Sequence, residues 1–217
     1  MSSKPREEKT YYLDKTTMGR ISMLFFGIYF WLTMRLRVIG LENIPEHGGC
    51  LLTSNHLAQI DSFLLLYVVS RPISFMAKEE IFVKWYSDIF VRHLGAFPVQ
   101  RDKMDRWALK QALSVLKKGY VLGIYPEGER SQAKQLQEAK VGPAYLAQKS
   151  ERPLIPIAIT GTHHVLQQWW PLRVPVTVRF GEPIYPQADE SPQELTERLM
   201  RKIASMLPPD MRGVYGG

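Results

Sequence analysis

From residue 36 onward, short apolar runs alternate with longer segments in which apolar residues recur every three or four positions. Each run has the length and composition of a buried strand, and the segments between most of them have the period of a helix. The runs are 36–39, 50–53, 73–77, 96–100, 120–125, 154–160 and 174–180. Strands and helices in this order form a largely parallel sheet with helices on both faces, so the sequence predicts an α/β fold.

The amino terminus differs from the rest of the chain. Residues 1–37 contain seven basic and three acidic side chains, which is +4 of the net charge of +7. These charges bracket residues 21–34 (ISMLFFGIYFWLTM), which would form a helix of about 21 Å, shorter than the ~30 Å hydrocarbon core of a bilayer. No small-residue cleavage site follows it. Two interpretations remain, a helix immersed in one leaflet and a buried core helix, and the aromatic residues with the basic rim favour the first.

We therefore predict two parts. Residues 1–37 form a basic and hydrophobic membrane-associating segment with an N-terminal membrane-associated helix, and residues 38–217 form a single α/β domain. A chain of 217 residues is long enough for one sizeable domain and short for two.

Composition excludes several classes of function. A single cysteine, Cys50, rules out an internal disulfide framework, and its apolar strand is typical of an inert buried thiol. No Cys/His cluster has zinc-site spacing, so no metal site is predicted. No basic and aromatic residues interleave as in a nucleic-acid platform, so no nucleic-acid partner is expected.

Residues 51–61 (LLTSNHLAQID) carry the most informative local pattern. Ser54 and Asn55 offer helix-capping side chains, so a helix is predicted over 57–70, with His56 at the strand-to-helix turn where open α/β sheets carry ligands. Positions i and i+5 of a helix diverge by about 140°, so His56 meets Asp61 only if it lies before the helix and folds back over the first turn. The pair would then be a general base oriented by a carboxylate, and the alternative is a capping histidine with no catalytic role.

Three cations also follow apolar strands: Lys78, Arg101 and Arg130. Parallel strands deliver their carboxyl ends to one edge of a sheet, so these cations are expected to converge beside His56. Such a cluster suits a phosphate next to a nucleophilic hydroxyl. Each could instead be a solvated charge at the end of a strand.

Four ordered blocks resemble the glycerolipid acyltransferases, and most closely the bacterial 1-acylglycerol-3-phosphate acyltransferases with their H-x4-D motif. The blocks are NHLAQID at 55–61, GAFPVQR at 95–101, YPEGERS at 125–131 and LIPI at 154–157. The resemblance implies acyl transfer from acyl-CoA or acyl-carrier protein to the free hydroxyl of lysophosphatidate, giving phosphatidate. The thioester donor is a co-substrate, so no cofactor is implied, and the enzyme would be monotopic on the cytoplasmic face of the membrane.

The resemblance also implies residue roles. His56 would be the base and Asp61 its orienting partner. The acceptor phosphate would be held by the block around the glutamate, glycine and arginine of the third motif together with two more cations: Glu127, Gly128, Arg130, Lys78 and Arg101.

Two departures from the family pattern concern the acceptor, since Ala58 stands where serine is frequent and Glu129 where threonine is favoured. Three alternatives stay open: another glycerolipid acceptor, a thioester hydrolase acting with the same pair, and a non-catalytic peripheral lipid-binding protein. Trp169 and Trp170 are expected either to contact the membrane or to pack.

Overall fold

The computed structural model describes residues 6–100, 104–165, 167 and 173–216, and its centre is one seven-stranded sheet. The strands are β1 (Met34–Ile39), β2 (Cys50–Ser54), β3 (Ile73–Lys78), β4 (Ala96–Val99), β5 (Val121–Ile124), β6 (Leu154–Thr160) and β7 (Val174–Phe180). Their order across the sheet is β1-β7-β6-β2-β5-β3-β4. All seven strands expected from the apolar runs are present.

The helices lie on both faces, as predicted. They are α1 (Thr17–Thr33), α2 (Ile60–Val68), α3 (Trp85–His93), α4 (Arg106–Lys117), α5 (Gly142–Ser150), α6 (Thr162–Val165) and α7 (Pro192–Met206). Helices α1, α2 and α3 contact one another over one face of the sheet, whereas α4, α5 and α7 form the layer on the other. Alternate residues of a strand serve the two layers: Leu52 packs in the first core and Leu51 in the second.

The sheet is largely parallel, with one reversal. Strands β6, β2, β5, β3 and β4 run in the same direction, while β7 is antiparallel to β6 and parallel to β1. The amino end of β1 therefore lies at the edge of the sheet where β2, β5 and β3 have their carboxyl ends. Helix α1 leads directly into β1, since it ends at Thr33 and the strand begins at Met34.

Helix α1 has apolar side chains on its inner and outer sides. Its inner side packs on α2 and α3, with Phe30 2% exposed. Its outer side exposes a stripe at helical spacing: Met18, Ile21, Leu24, Phe25, Ile28, Trp31 and Leu32. Within the described residues, no helix is both long enough and apolar enough to span a bilayer. The boundary predicted after residue 37 falls inside β1, and the division into two parts stays a prediction.

Candidate active site

His56 and Asp61 form a close pair at the carboxyl end of β2. His56 Nδ1 lies 2.9 Å from Asp61 Oδ2, and the Asp61 side chain has no solvent exposure. The same oxygen accepts the backbone N–H groups of Leu57 at 2.7 Å and Ala58 at 2.8 Å. His56 precedes α2 and folds back over its first turn, as the spacing required. Because a carboxylate only accepts, Nδ1 carries the ring proton and Nε2 has a free lone pair.

The capping prediction at this turn is wrong. Helix α2 begins at Ile60, three residues later than expected, and neither Ser54 nor Asn55 caps it. Asn55 instead holds β6, donating through Nδ2 to Ile159 O and accepting Ile159 N–H at Oδ1. Ser54 Oγ donates to the carbonyl of Asn55. Since Asp61 takes the free N–H groups before the helix, one carboxylate both closes the turn and orients His56.

Glu127 supports the histidine backbone from the turn that follows the neighbouring strand β5. Its Oε1 accepts His56 N–H at 3.2 Å and its Oε2 accepts Gln137 N–H at 2.9 Å, and the residue is 4% exposed. The His56 carbonyl in turn accepts Ser131 N–H at 2.9 Å. Burial raises the pKa of Glu127 to about 7, with the charge of Asp61 adding to the shift and the two N–H groups opposing it. The family resemblance assigns Glu127 to substrate binding, and that role stays a prediction; in the structure both of its carboxylate oxygens accept backbone N–H groups.

Tyr125 fixes the plane of the imidazole, a contact that the sequence reasoning missed. Its ring stacks on His56 with centroids 3.9 Å apart and an interplanar angle of 12°, and its hydroxyl lies 2.8 Å from Ser62 Oγ. Burial raises the pKa of Tyr125 well above its ordinary value, so the hydroxyl stays neutral. The available signal was an aromatic residue at the end of the strand next to β2.

The cations around this edge differ in their exposure and in the partners that they contact. Arg130 is exposed, and none of the described residues hydrogen-bonds to it. Lys78 ends β3, with its side chain 50% exposed and its ammonium 2.8 Å from Glu80. Lys134, not anticipated, directs its ammonium to the carbonyls of Leu57 and Ser131. Arg101 lies outside the described residues.

Gly128 permits the chain to turn sharply between the bracing carboxylate and Arg130. Its φ of +78° is in the left-handed region, and a Cβ there would lie 3.1 Å from Lys140 Cε. The backbone N–H of Gly128 donates a hydrogen bond to the carbonyl of Tyr125 within this turn. Glu129, the departure from the family pattern, is exposed.

Other reactive or aromatic side chains have plainer surroundings. Cys50 is fully buried, and burial raises the pKa of its thiol to about 11, with nearby Arg71 opposing the shift. Burial lowers the pKa of His163. The charges of His164 and Lys134 lower it further, whereas the charge of Asp61 raises it. Trp169 and Trp170 lie outside the described residues. Across those residues, no three His, Cys, Asp or Glu side chains are grouped closely enough to hold a metal ion.

The arrangement is that of a single general base. A hydroxyl placed at Nε2 would lose its proton to an imidazole whose other nitrogen, ring plane and backbone are each held by a separate group. Arg130, exposed and without a hydrogen-bond partner among the described residues, would be available to an anionic substrate.

Comparison with known proteins agrees with this chemistry. The acyltransferase family model matches residues 35–160, which is more than half of the chain and contains every described candidate site residue. The chain therefore belongs to the acyltransferase family, and it is an enzyme of that class.

The relatives narrow the class further and confirm the resemblance to 1-acylglycerol-3-phosphate acyltransferases. The 1-acyl-sn-glycerol-3-phosphate acyltransferase of Bacillus subtilis is 28% identical over 165 residues, which are 76% of this chain and 80% of that protein. The enzyme of the same name from Borreliella burgdorferi is 26% identical, and the match covers 63% of this chain and 56% of that protein. The structure of the 1-acyl-sn-glycerophosphate (LPA) acyltransferase PlsC from Thermotoga maritima superimposes with a TM-score of 0.72 at 28% identity, covering 85% of this chain and 76% of that one.

Proposed function

We propose that this protein transfers a fatty acyl group from a thioester donor to the free hydroxyl of 1-acylglycerol-3-phosphate, giving phosphatidate. The observation that carries the proposal is the His56–Asp61 pair, in which Asp61 is fully buried and Nε2 of His56 makes no hydrogen bond to a described residue. The names of the relatives support the acceptor. The reaction needs no cofactor beyond the donor, which is acyl-CoA or acyl-carrier protein.

The reaction follows from the geometry of the pair. Nε2 of His56 takes the hydroxyl proton of the acceptor while the hydroxyl oxygen attacks the thioester carbonyl carbon, giving a tetrahedral oxyanion. The intermediate collapses with cleavage of the carbon–sulfur bond, and the leaving thiolate takes the proton back from the imidazolium. Asp61, 2.9 Å from Nδ1, stabilises the imidazolium between these steps. General-base assistance of this kind is typically worth about 10²–10⁴ in rate.

We propose that the acceptor phosphate binds the cations at the sheet edge. Arg130 has no partner among the described residues and offers a bidentate donor, and Lys78 offers a point charge at the end of the adjacent strand. Arg101 stays in this set by the family resemblance. Gly128 provides the turn that carries Arg130, whereas Glu127 supports the His56 backbone, since a carboxylate facing a phosphate would repel it.

We propose further that α1 holds the protein on the cytoplasmic face of the membrane as a monotopic helix. Its outer stripe of exposed apolar side chains, with Phe25 at 67% and Trp31 at 68%, suits insertion into one leaflet. Exposed basic residues lie in its first turn, at Arg20, and just after its end, at Arg35. The end of α1 lies at the same sheet edge as His56, which would bring the site to the bilayer surface.

One assay tests the proposal. The purified protein is mixed with acyl-CoA or acyl-carrier protein and a panel of lyso-acceptors with and without phosphate, free thiol is followed, and products are identified by mass spectrometry. We expect phosphatidate from lysophosphatidate. Free fatty acid formed at the same rate with and without an acceptor would instead identify a thioester hydrolase.

Arg130→Ala tests the phosphate contact, with the exposed Arg201→Ala on α7 as its matched control. A charge-assisted phosphate contact is worth ~1.5–3 kcal/mol, so kcat/KM for lysophosphatidate should fall about 10- to 100-fold. Most of this loss should come from a higher KM for the acceptor, and the KM for the donor should not change. Arg130→Lys should recover part of the loss because it keeps the charge without the guanidinium geometry. An equal loss with a phosphate-free acceptor would make Arg130 structural.

A further inference from the structure

A second exposed apolar surface lies outside α1, on the 3₁₀ turn Glu79–Phe82 and helix α3. We call it the α3 patch and define it by Ile81, Val83, Trp85, Tyr86 and Ile89, whose exposures run from 37% to 74%. Val83 and Trp85, at 74% each, are more exposed than any residue of the α1 stripe. Five large apolar side chains within nine residues form a continuous patch of a kind that soluble surfaces rarely leave open.

Helix α3 has apolar side chains on two sides, since Phe90 and Val91 pack against the core and others face outward. Its buried residue is a carboxylate, Asp88, while Trp85, Tyr86 and Ile89 point outward. Two cations hold Asp88 from the protein side: Lys9 Nζ at 3.1 Å and Arg92 Nε at 3.2 Å. The ion pair between Lys9 and Asp88 thus fastens the helix to the N-terminal segment, and the outward-facing apolar side chains are left free for another apolar phase.

The α3 patch and the outer side of α1 belong to one layer of the fold. The two helices contact each other in the same layer of the fold, and at their crossing a Cβ on Gly19 would lie 2.7 Å from the His93 carbonyl oxygen. Both apolar surfaces face away from the sheet, because the sheet lies beneath this layer. A flat apolar phase that receives α1 would therefore lie against α3 as well.

The aromatic residues of the patch identify the phase. Trp85 and Tyr86 are of the two types enriched where a protein meets lipid head groups. The charges beside them are mixed: Lys84 is exposed, with its ammonium 5.9 Å from the Tyr86 ring centroid, whereas Lys78 pairs with Glu80 at 2.8 Å.

We propose that the α3 patch is a second lipid contact, docking on a phospholipid bilayer beside α1. This proposal rests on the membrane-bound acyltransferase function given above. The patch directly follows Lys78 at the carboxyl end of β3, so its docking holds the phosphate-binding edge against the head groups from which the acceptor arrives.

The first test measures partition onto vesicles of phosphatidylcholine and phosphatidylglycerol by flotation. The double variant Val83→Ser/Trp85→Ser removes the two most exposed apolar side chains of the patch. The matched control, Tyr185→Ser/Val214→Ser, removes two exposed apolar residues elsewhere, at 60% and 69%. Withdrawing two large apolar groups from the bilayer should lower the partition coefficient about tenfold or more, while the control keeps the wild-type value.

A second test reads insertion directly. Val83→Cys is labelled with a polarity-sensitive dye, since Cys50 is buried and burial raises its thiol pKa to about 11, which keeps it silent. We expect a blue shift of the emission when vesicles are added, and no shift for the same dye at Val214→Cys.

Wild-type partition by the double variant, or an unshifted dye at residue 83, would overturn the proposal. A lower molar mass of the double variant in solution with unchanged flotation would also overturn it, by making the patch an interface between two copies. Thiol release by wild-type protein with a short-chain, monomeric lysophosphatidate is measured in parallel. Its absence refutes the proposed function, whereas the vesicle experiments refute the α3 contact alone.

Discussion

Asp61→Asn isolates the charge of the catalytic pair from its geometry. All three hydrogen bonds of Asp61 end on Oδ2, and Oδ1 is buried without a hydrogen-bond partner in the described residues. The asparagine oxygen can therefore replace Oδ2, and its NH₂ group takes the place of an oxygen that bonds to nothing. The turn should persist at a cost of about 1–3 kcal/mol for the buried, unpaired NH₂ group.

The effect on rate follows from the distance. At 2.9 Å and an effective dielectric constant of about 20, an imidazolium and a carboxylate attract by about 5–6 kcal/mol. If about half of the positive charge has developed in the transition state, its loss raises the barrier by about 3 kcal/mol, which lowers kcat about a hundredfold. Stopped-flow detection of free thiol at saturating donor and acceptor measures kcat, and urea unfolding measures stability.

The matched control is Asp88→Asn, which neutralises another buried carboxylate that is paired with Lys9 and Arg92. It should lose stability and keep its kcat per folded molecule. A kcat within about threefold of wild type in folded Asp61→Asn would refute the assignment of Asp61 as the stabilising partner of His56.

Four further predictions concern the surroundings of the site. Tyr125→Phe keeps the stack on the imidazole and should change kcat only a few-fold, whereas Tyr125→Leu should lower it about tenfold, as measured by thiol release. Burial raises the pKa of Glu127 to about 7, above its unfolded value, so the stability gained from its protonated form is complete below pH 4.5 and is lost as pH rises through 7. Relative to Glu127→Gln, wild type should lose on the order of 3 kcal/mol in urea unfolding between pH 4 and pH 8, and parallel curves would contradict this. Arg6→Ala removes two 2.8 Å hydrogen bonds to Asp105. Burial alone would raise the pKa of Asp105, but Arg6 and two backbone N–H groups lower it to about 2. The variant should therefore lose about 2 kcal/mol of unfolding free energy at pH 7 and much less at pH 2. Cys50→Ser should lower stability by burying a hydroxyl and leave kcat per folded molecule at the wild-type value, so a silent active site in folded protein would show that the thiol participates.

The strands and helices could be predicted because their patterns are local. The limits of β6 and β7 match the expected 154–160 and 174–180, since strand ends follow where apolar runs stop. The direction of a strand has no such signal. The reversal of β1 and β7 depends on the pairing of residues such as Ile159 and Val178 across the sheet, which a local pattern does not specify.

The contacts of the candidate active site likewise include some that a local pattern predicts and others that depend on distant residues. The five-residue spacing gave the His56–Asp61 contact, because one turn of chain limits how the two side chains can meet. The role of Asn55 depends on Ile159, 104 residues away, and the brace on the His56 backbone comes from Glu127, 71 residues away. Each of those side chains has a plausible local use, as a cap or as a ligand, and only the tertiary fold selects the actual one.

Because β2, β5 and β3 run in the same direction, the sheet has a reactive edge at their carboxyl ends and an opposite edge at their amino ends, away from His56 and Asp61. At that second edge Arg71 fastens the loops before β2 and β5 by donating to the carbonyls of Pro45, Gly48 and Gly119. Glu46 and His47, in the first of these loops, are exposed. An affinity tag or a tether inserted between them would attach the enzyme to a solid support with its reactive edge directed outward, where it can still meet a lipid film.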